Sequence, residues 1–379
     1  LMHWLEDRGD LDRSLEFLPS DADLLKRSAE GLGLRSPEFS VLVAYAKLAL
    51  KHDLLASELP DDPWFAATLL DYFPEAMRTT YPEQIAAHPL RREIITNAVA
   101  NSVVNRGGIT FAFRATEETG STSEQAARAF VVCREVFGLA DYVRSVEALD
   151  NVVPTAAQTA LYLEFRRLLD RAVRWFLHAR PTRLDIKAEI DRFSGVVRDW
   201  GPRVPRLLTG TEQERLRRRA GDFEATGVPT DLAVRAASLL DLYSLLDITD
   251  LAAETGESIE QVAPVYYQVS EKFGIDSMLT RVTRLPREDQ WDALARGAVR
   301  DDLYGVLESL TRAVLDATTD RADADPRERV AAWVSANQDS VDRAQRALAN
   351  VVALESPNLA ALSVALRTLR GVIRTGAAT

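Results

Sequence analysis

Cysteine, histidine and long apolar runs are all scarce in this sequence of 379 residues. The single cysteine, Cys133, excludes a disulfide framework and fits a reducing cytoplasm. The four histidines lie far apart, which argues against a multi-histidine metal site. No apolar run reaches the roughly 18–20 residues that a membrane span needs. We therefore expect a cytoplasmic chain that neither crosses a membrane nor holds a histidine-bound metal.

Basic residues are also in deficit. Lysine and arginine total 46 against 57 aspartates and glutamates, which gives a formal net charge of −11. Such a chain repels phosphate backbones, so no nucleic-acid partner is expected. With 46% hydrophobic and 27% charged residues, the composition is that of a folded globular protein, which excludes a disordered or fibrous chain.

Common signatures of catalysis and cofactor binding are missing as well. The sequence contains no P-loop, no His-Glu-x-x-His, no Cys-x-x-Cys and no Gly-x-Ser-x-Gly, and no Gly-x-Gly-x-x-Gly follows a strand. Cys133 lies in an apolar helical pattern and is interpreted as a buried core residue rather than a nucleophile. No residue of the chain is therefore assigned a catalytic, cofactor-binding or metal-binding role.

Helix signals, by contrast, are abundant. Ser36-Pro37-Glu38 is typical of a helix start and precedes apolar residues at spacings of three and four. Ser121-Thr122-Ser123-Glu124 is a capping box, and Gly138 is the matching C-terminal glycine. The sequence predicts an all-α multi-helix fold without a sheet. Its other predicted helices cover residues 64–72, 90–106, 155–178, 288–318, 327–353 and 357–373.

A segment near the middle of the chain recurs. Thr119-Gly120-Ser121-Thr122-Ser123-Glu124-Gln125 reappears 136 residues later as Thr255-Gly256-Glu257-Ser258-Ile259-Glu260-Gln261, and Phe137-Gly138 returns as Phe273-Gly274. The shared register predicts a duplicated helical module, two repeats offset by about 136 residues. The predicted domains are a helical lead-in at 1–88, module one at 89–226 and module two at 227–379.

One predicted helix carries a row of amides. Glu93, Asn97, Asn101 and Asn105 recur at intervals of four and form a polar stripe, while apolar residues cover the other faces. A buried amide without a partner costs about 1–3 kcal/mol, so the stripe is expected to meet a polar partner. Three partners remain open: a hydrogen-bond network within the fold, a domain interface or a small molecule.

Clusters of like charge have simpler interpretations. Asp61-Asp62 is interpreted as a helix N-cap, and the acidic residues between 320 and 325 as a solvated loop. A basic cluster lies between acidic residues on one predicted helix, and it is predicted to form ion pairs within that helix. It consists of Arg215, Arg217, Arg218 and Arg219.

A family resemblance is carried by five strings in order along the chain. They are Asp10 to Arg13 with Leu15 to Pro19, Ser36 to Lys47, Leu90 to Ile95, Asn105 to Phe111, and Glu117 to Gly120. Together they resemble the C-terminal region of the large bacterial NAD-specific glutamate dehydrogenases. The resemblance runs through essentially the whole chain and is densest between residues 10 and 120.

The resemblance implies an accessory role. In that family, a central catalytic domain carries the NAD-binding fold and oxidatively deaminates L-glutamate to 2-oxoglutarate and ammonium. This chain would follow that domain, bind no NAD itself and act as a helical structural or regulatory domain. Its implied partners are the catalytic domain of the same polypeptide and further subunits of a homo-oligomer, expected to be a tetramer. The polar stripe then becomes the candidate domain interface, together with Arg106, Arg114 and Glu117.

Two other functions stay open at this point. A free-standing helical module that binds another protein would show a reading frame starting near Leu1 and a large exposed apolar patch. A self-sufficient helical enzyme would need a pocket with convergent titratable groups. Leu1 is not an initiator methionine, and we expect the chain to be a piece of a longer polypeptide.

Overall fold

The computed structural model describes residues 1–182, 184–286, 290–356 and 358–376. These residues form helices and turns with no strand, so the all-α prediction is confirmed for this part of the chain. The predicted helix starts at 288 and 357 lie outside the described residues. None of the described helices combines the length and the apolar character that crossing a bilayer requires.

The chain forms two compact units. The first consists of Leu1–Ala140 and Leu169–Asp191, and the second of Asp141–Leu168 and Arg192–Thr379. The helices wholly within the first unit are α1 (Met2–Asp7), α2 (Asp21–Ala29), α3 (Ser36–Leu55), α4 (Ala66–Asp71), α5 (Glu75–Thr80), α6 (Pro82–Ala86), α7 (Arg91–Ser102), α8 (Phe111–Thr119) and α9 (Ser123–Val136). Those that contribute residues to both units are α10 (Leu139–Glu147), α11 (Thr155–Ala179) and α12 (Ile186–Trp200).

The second unit contains the remaining helices. They are α13 (Val204–Leu207), α14 (Gly210–Glu224), α15 (Thr230–Ser238), α16 (Ser244–Thr255), α17 (Ile259–Phe273), α18 (Ile275–Thr283), α19 (Gln290–Ala317), α20 (Pro326–Ala336), α21 (Gln338–Val352) and α22 (Leu359–Gly376). The predicted domain boundaries after residues 88 and 226 stay predictions.

Helix α9 is the centre of the first unit. It contacts α3, α7 and α8, and every residue from Ala126 to Cys133 is buried. The Phe130 ring meets Phe111 of α8 edge-on, with ring centroids 5.6 Å apart. Burial raises the pKa of the Cys133 thiol well above its usual value. Cys133 is therefore a core residue, as predicted, because a thiol held in its neutral form is a weak nucleophile.

Helix α17 is the central helix of the second unit. It contacts α16, α18, α19 and α20 and buries residues on several faces, including Val265 and Val269. Its buried face includes a polar contact, since the Tyr266 hydroxyl donates a 2.9 Å hydrogen bond to Asp247. This bond gives a partner to both groups, which is what polar groups in a core require.

Capping boxes begin these two helices, and the box predicted at Ser121 and Glu124 forms one residue later, between Thr122 and Gln125. Thr122 caps α9 and accepts a hydrogen bond from the Gln125 backbone N–H, while the Gln125 side chain returns to the Thr122 N–H at 2.8 Å. Ser258 and Gln261 make the same box at the start of α17. The preceding helices both end on a glycine with positive φ, Gly120 at 70° and Gly256 at 74°.

Two predicted helices differ from the structure. The run at 327–353 is interrupted at Asn337, whose side-chain amide donates to the Trp333 carbonyl oxygen at 2.9 Å. Asparagine competes in this way for helical hydrogen bonds, and α20 ends there. The run at 64–72 begins as a 3₁₀ turn, Pro63–Phe65, before α4. Asp62 caps this turn through the Trp64 N–H, so its predicted capping role is confirmed.

Candidate functional site

The candidate site begins where α7 widens into a π-helical turn, Val103–Gly107. A Cβ atom on Gly107 would lie 2.6 Å from the Phe111 ring, so a side chain does not fit there. Gly108 follows with φ of 100°, a conformation that side chains disfavour. Two consecutive glycines thus hold the turn and leave Asn105 and Arg106 exposed. Such π-turns occur frequently at functional sites.

The polar stripe follows the open side of α7. Glu93 and Asn105 are exposed, and Asn97 and Asn101 are half-buried. The opposite side of α7 is apolar and buried, at Ile94, Ile95 and Val99. Among the described residues, no side-chain amide of the three asparagines makes a hydrogen bond. The network within the fold that was one of the three open interpretations is therefore not formed by these amides here.

Of the other three candidate interface residues, Arg106 lies within the π-turn, and Arg114 and Glu117 lie on α8. Arg106 and Glu117 are exposed. Arg114 instead pairs with Glu118 at 3.2 Å and approaches Asp170 at 3.7 Å, which draws it into a separate charged cluster. Whether these residues and the stripe form one interface stays a prediction.

This charged cluster, consisting of Arg114, Glu118, Asp170 and Arg174, lines a small cleft beside Phe111. Arg174 forms an ion pair with Glu118. Burial opposes ionisation of Glu118, but the charges of Arg174 and Arg114 outweigh it and hold its pKa below the usual value. The sequence analysis did not identify this cluster, although Glu118 flanks the repeated segment.

A second cluster, on α14 and its neighbours, was also missed. Glu212 accepts a 2.9 Å hydrogen bond from the Ser270 hydroxyl. Its other carboxylate oxygen is buried without a hydrogen-bond partner among the described residues. Burial, together with the negative charges of Asp276 and Asp241, raises the pKa of Glu212 to about 7. A carboxyl with this pKa is half-protonated near neutral pH, unlike an exposed glutamate.

The nearby basic cluster corrects a prediction. Arg215 pairs with Asp241 at 2.7 Å and approaches Asp276 at 3.5 Å. Arg219 pairs with Glu164 at 2.5 Å. These partners lie on other helices or turns, so the predicted pairing within the helix is wrong for both arginines. Arginine side chains are long enough to reach neighbouring elements, and the helix spacing alone does not reveal those neighbours.

No group of three or more histidine, cysteine, aspartate or glutamate side chains is arranged to hold a metal ion in the described ranges. The charged clusters are instead linked by ion pairs and hydrogen bonds, and the candidate site is a surface of polar groups. Comparison with known proteins shows the family to which the sequence belongs. The family model described as "Glutamate dehydrogenase, C-terminal" matches residues 31–371. The chain belongs to this glutamate dehydrogenase C-terminal family.

Individual relatives of the family agree with this match. The chain is 40% identical over 375 residues to an NAD-specific glutamate dehydrogenase of Mycobacterium tuberculosis, which covers 99% of this chain and 23% of that protein. It is 37% identical over 369 residues to the enzyme of the same name from Pseudomonas aeruginosa, which covers 97% and 23%. For the enzyme from Halomonas elongata the identity is 36% over 365 residues, with 96% and 22% covered.

These proportions define the size of the matched region. The chain spans less than a quarter of the length of the curated relatives that it matches. Members of the glutamate dehydrogenase C-terminal family are thus a region of a larger protein in these relatives. The strings from which the resemblance was inferred include the π-turn. Its two glycines are explained by the close approach of Phe111 to Gly107 and by the positive φ of Gly108.

Proposed function

We propose that this chain is the C-terminal helical accessory domain of an NAD-dependent glutamate dehydrogenase. The full-length protein would convert L-glutamate, NAD and water to 2-oxoglutarate, ammonium and NADH. The observation that carries the proposal is the family match over residues 31–371, together with relatives that align along nearly the whole chain. The role of this region would be structural or regulatory, and the fragment alone would be inactive.

Catalysis and NAD binding are assigned to the part of the protein outside this chain. Dinucleotide-binding folds hold the pyrophosphate at the end of a parallel strand, where a glycine-rich turn begins a helix. The helical architecture described above and the absence of that glycine pattern from the sequence support this assignment. The buried charged side chains Arg128 and Arg329 also support it, because both are used in ion pairs that stabilise the fold.

The polar stripe and its neighbours are the proposed contact with the catalytic domain. Free amides on a half-buried helix face offer donors and acceptors that a second surface can satisfy. Glu93, Arg106 and Glu117 would add charge at the edges of this contact, and Arg114 would contribute through its partly exposed guanidinium.

Replacing Asn97 and Asn101 together by leucine tests this contact. The double variant of the full-length protein should lose activity or assembly, because leucine cannot bond to the polar groups opposite. Unchanged turnover and unchanged oligomeric state would reject the contact. Asn350→Leu, at an exposed position of α21, is the matched control and should behave as the parent protein.

Assembly and location follow from the same proposal. We infer a cytoplasmic homo-oligomer, a tetramer, whose partners are the catalytic domain and neighbouring subunits rather than nucleic acid or membrane. The net charge of −11 supports the exclusion of nucleic acid, because an acidic surface repels phosphates.

We also propose that the helical body arose by duplication. The repeated caps support this: Gln125 and Gln261 close equivalent boxes, and each donates a further hydrogen bond from its side-chain amide. Gln125 bonds to the Pro181 carbonyl oxygen, which follows α11, and Gln261 bonds to Asp323, which follows α19. The two central helices therefore contact corresponding positions of the chain.

The size of the native polypeptide tests the main proposal. An antibody against this chain should capture from a lysate a polypeptide several times heavier than 42.0 kDa, with glutamate-dependent NAD reduction. A polypeptide near 42.0 kDa without that activity would overturn the proposal in favour of the free-standing interaction module.

A further inference from the structure

The turn between α1 and α2 presents two apolar side chains to solvent. Phe17 is 91% exposed and Leu15 is 73% exposed, among the highest values for large apolar residues of this chain. Phe17 also has φ of +53°, in the left-handed region that bulky side chains avoid. The turn is therefore unfavourable in this chain for two independent reasons, exposed apolar area and backbone strain.

Side-chain contacts hold the turn in this strained form. Asp12 accepts hydrogen bonds from the backbone N–H groups of Ser14 at 2.9 Å and Leu15 at 3.2 Å. Arg13 pairs with Glu6 and with Asp21, both at 2.7 Å, and so links the turn to the helices before and after it. These bonds fix the start of the turn.

The other end of the turn is fixed as firmly. Glu16 accepts a 2.6 Å hydrogen bond from the Tyr45 hydroxyl of α3. Leu11 and Leu18, on either side of the turn, are buried in a shared apolar cluster with Leu5 and Leu42. A rigid frame thus presents Leu15 and Phe17 outward. Strain that surrounding structure enforces is typical of sites that bind something.

The adjoining helix α2 is also incompletely packed. It has a complete capping box but no buried residue, and its Leu25 is 74% exposed. A nine-residue helix is marginal in water without tertiary packing. The strain at Phe17 contrasts with Asn151, the other described residue besides glycine with positive φ, because asparagine adopts this conformation readily.

We propose that Leu15 and Phe17 form an apolar anchor that inserts into an apolar pocket on the preceding part of the same polypeptide. This inference rests on the proposed function. More than three-quarters of each relative's length lies outside the matched region, and the family model describes a C-terminal one. The family match begins at residue 31, so the anchor precedes the matched C-terminal region and lies on the side of that larger part. Docking there would bury both side chains and stabilise α2.

Photocross-linking identifies the occupant directly. A photoreactive benzoylphenylalanine at position 17 of the full-length protein should form, on irradiation, a cross-link to a peptide that precedes this chain. Cross-links to another copy of this region, or no cross-link at all, would overturn the proposal. The same group at position 364, an exposed site on α22, is the control and should give no such product.

Substitutions of Phe17 and Leu15 distinguish a docking role of the anchor from a role in the stability of the fold. Phe17→Gly should raise the thermal midpoint of the 379-residue chain by about 2–4 °C, because glycine adopts positive φ without strain. In the full-length protein it should increase the rate of proteolysis within residues 12–18 by about tenfold, since one buried aromatic contact is lost. Leu15→Ser should have the same proteolytic effect.

Unchanged proteolysis in both variants would overturn the proposal. These readouts need no enzymatic activity, so they remain valid whatever reaction the full-length protein catalyses. Glutamate-dependent NAD reduction by the unmodified full-length protein tests the proposed function separately.

Discussion

The segments α8–α9 and α16–α17 share the same glycine turn and capping box but differ in the charged residues buried beside them. Each segment has a positive-φ glycine, a capping box and a glutamine that reaches a distant loop. In each, the glutamate two residues before the glycine pairs with an arginine: Glu118 with Arg174, and Glu254 with Arg312. Local sequence therefore determines the glycine turn and the capping box in both segments.

The two segments differ in how each buries a cation nearby. Arg128 belongs to α9 itself and pairs with Asp62 at 2.6 Å and Glu124 at 2.9 Å, both partly exposed carboxylates. Arg329 belongs to α20 and makes two 2.7 Å hydrogen bonds to Glu257, in the turn before α17. Both arginines are only 1% exposed, but only the side chain of Glu257, at 7%, is comparably buried. The two segments therefore share their caps, but losing the buried arginine would leave a buried carboxylate unpaired only in the second.

The largest expected effect comes from removing these arginines. Arg329→Ala should lower the free energy of unfolding by about 3–5 kcal/mol, because Glu257 would remain charged and buried. Arg128→Ala should cost about 2–3 kcal/mol, because water can reach its carboxylate partners. Thermal and denaturant unfolding of the 379-residue chain measure both.

An exposed arginine provides the control for this pair of variants. Arg144 pairs with Asp141 at the surface, and Arg144→Ala should change stability by less than about 1 kcal/mol. If Arg128→Ala proves as costly as Arg329→Ala, partner burial is not what distinguishes the two segments.

The next effect concerns pH. The pKa of Glu212 is about 7 in the folded protein and near 4.5 when unfolded, so the folded state holds the extra proton between these values. Its contribution is favourable below pH 4.5 and is lost as pH rises through 7. Glu212→Gln should therefore leave stability unchanged near pH 4.5 and increase it by about 1–3 kcal/mol at pH 8. Unfolding midpoints across this range provide the measurement.

Glu118→Gln is the matched variant of opposite sign. The folded pKa of Glu118 is lowered by Arg174 and Arg114 against the effect of burial, so its charged form stabilises the fold above the unfolded pKa. This variant should lose stability at pH 8, and the difference should vanish as pH falls through the lowered folded pKa. The same sign for both variants would contradict the assignment of opposite shifts.

The smallest expected effect tests whether the capping boxes of α9 and α17 are equivalent. Gln125→Leu and Gln261→Leu each remove the capping-box bond and the bond to a loop, and each should cost about 1 kcal/mol. The two losses should agree within about 0.5 kcal/mol, as measured by thermal unfolding. Gln338→Leu, which removes only an exposed bond to Asp342, should cost less than about 0.5 kcal/mol. A much larger loss of stability for one of the two variants would mean that the two capping boxes are not equivalent.

Local signals predicted more of the fold than of the candidate site. The start of α3 at Ser36 was predicted, and the cap of α9 was predicted to within one residue, because capping depends on residues within one turn. The stripe on α7 was predicted as a polar face, but its exposure depends on what covers α7. The clusters at Glu118 and Glu212 were not found, because each joins residues more than 50 positions apart, such as Glu118 with Arg174 and Glu212 with Ser270.

The sequence by itself determined the helical class, the caps and the glycine turns, since these follow from hydrogen bonds and backbone conformations within a few residues. Only the tertiary structure decided that Arg215 and Arg219 bond outside their helix and that Glu212 is held near neutral pKa. It also decided that Phe17 stands strained and exposed. Burial and charge pairing depend on which distant segments meet, and no local pattern encodes those distances.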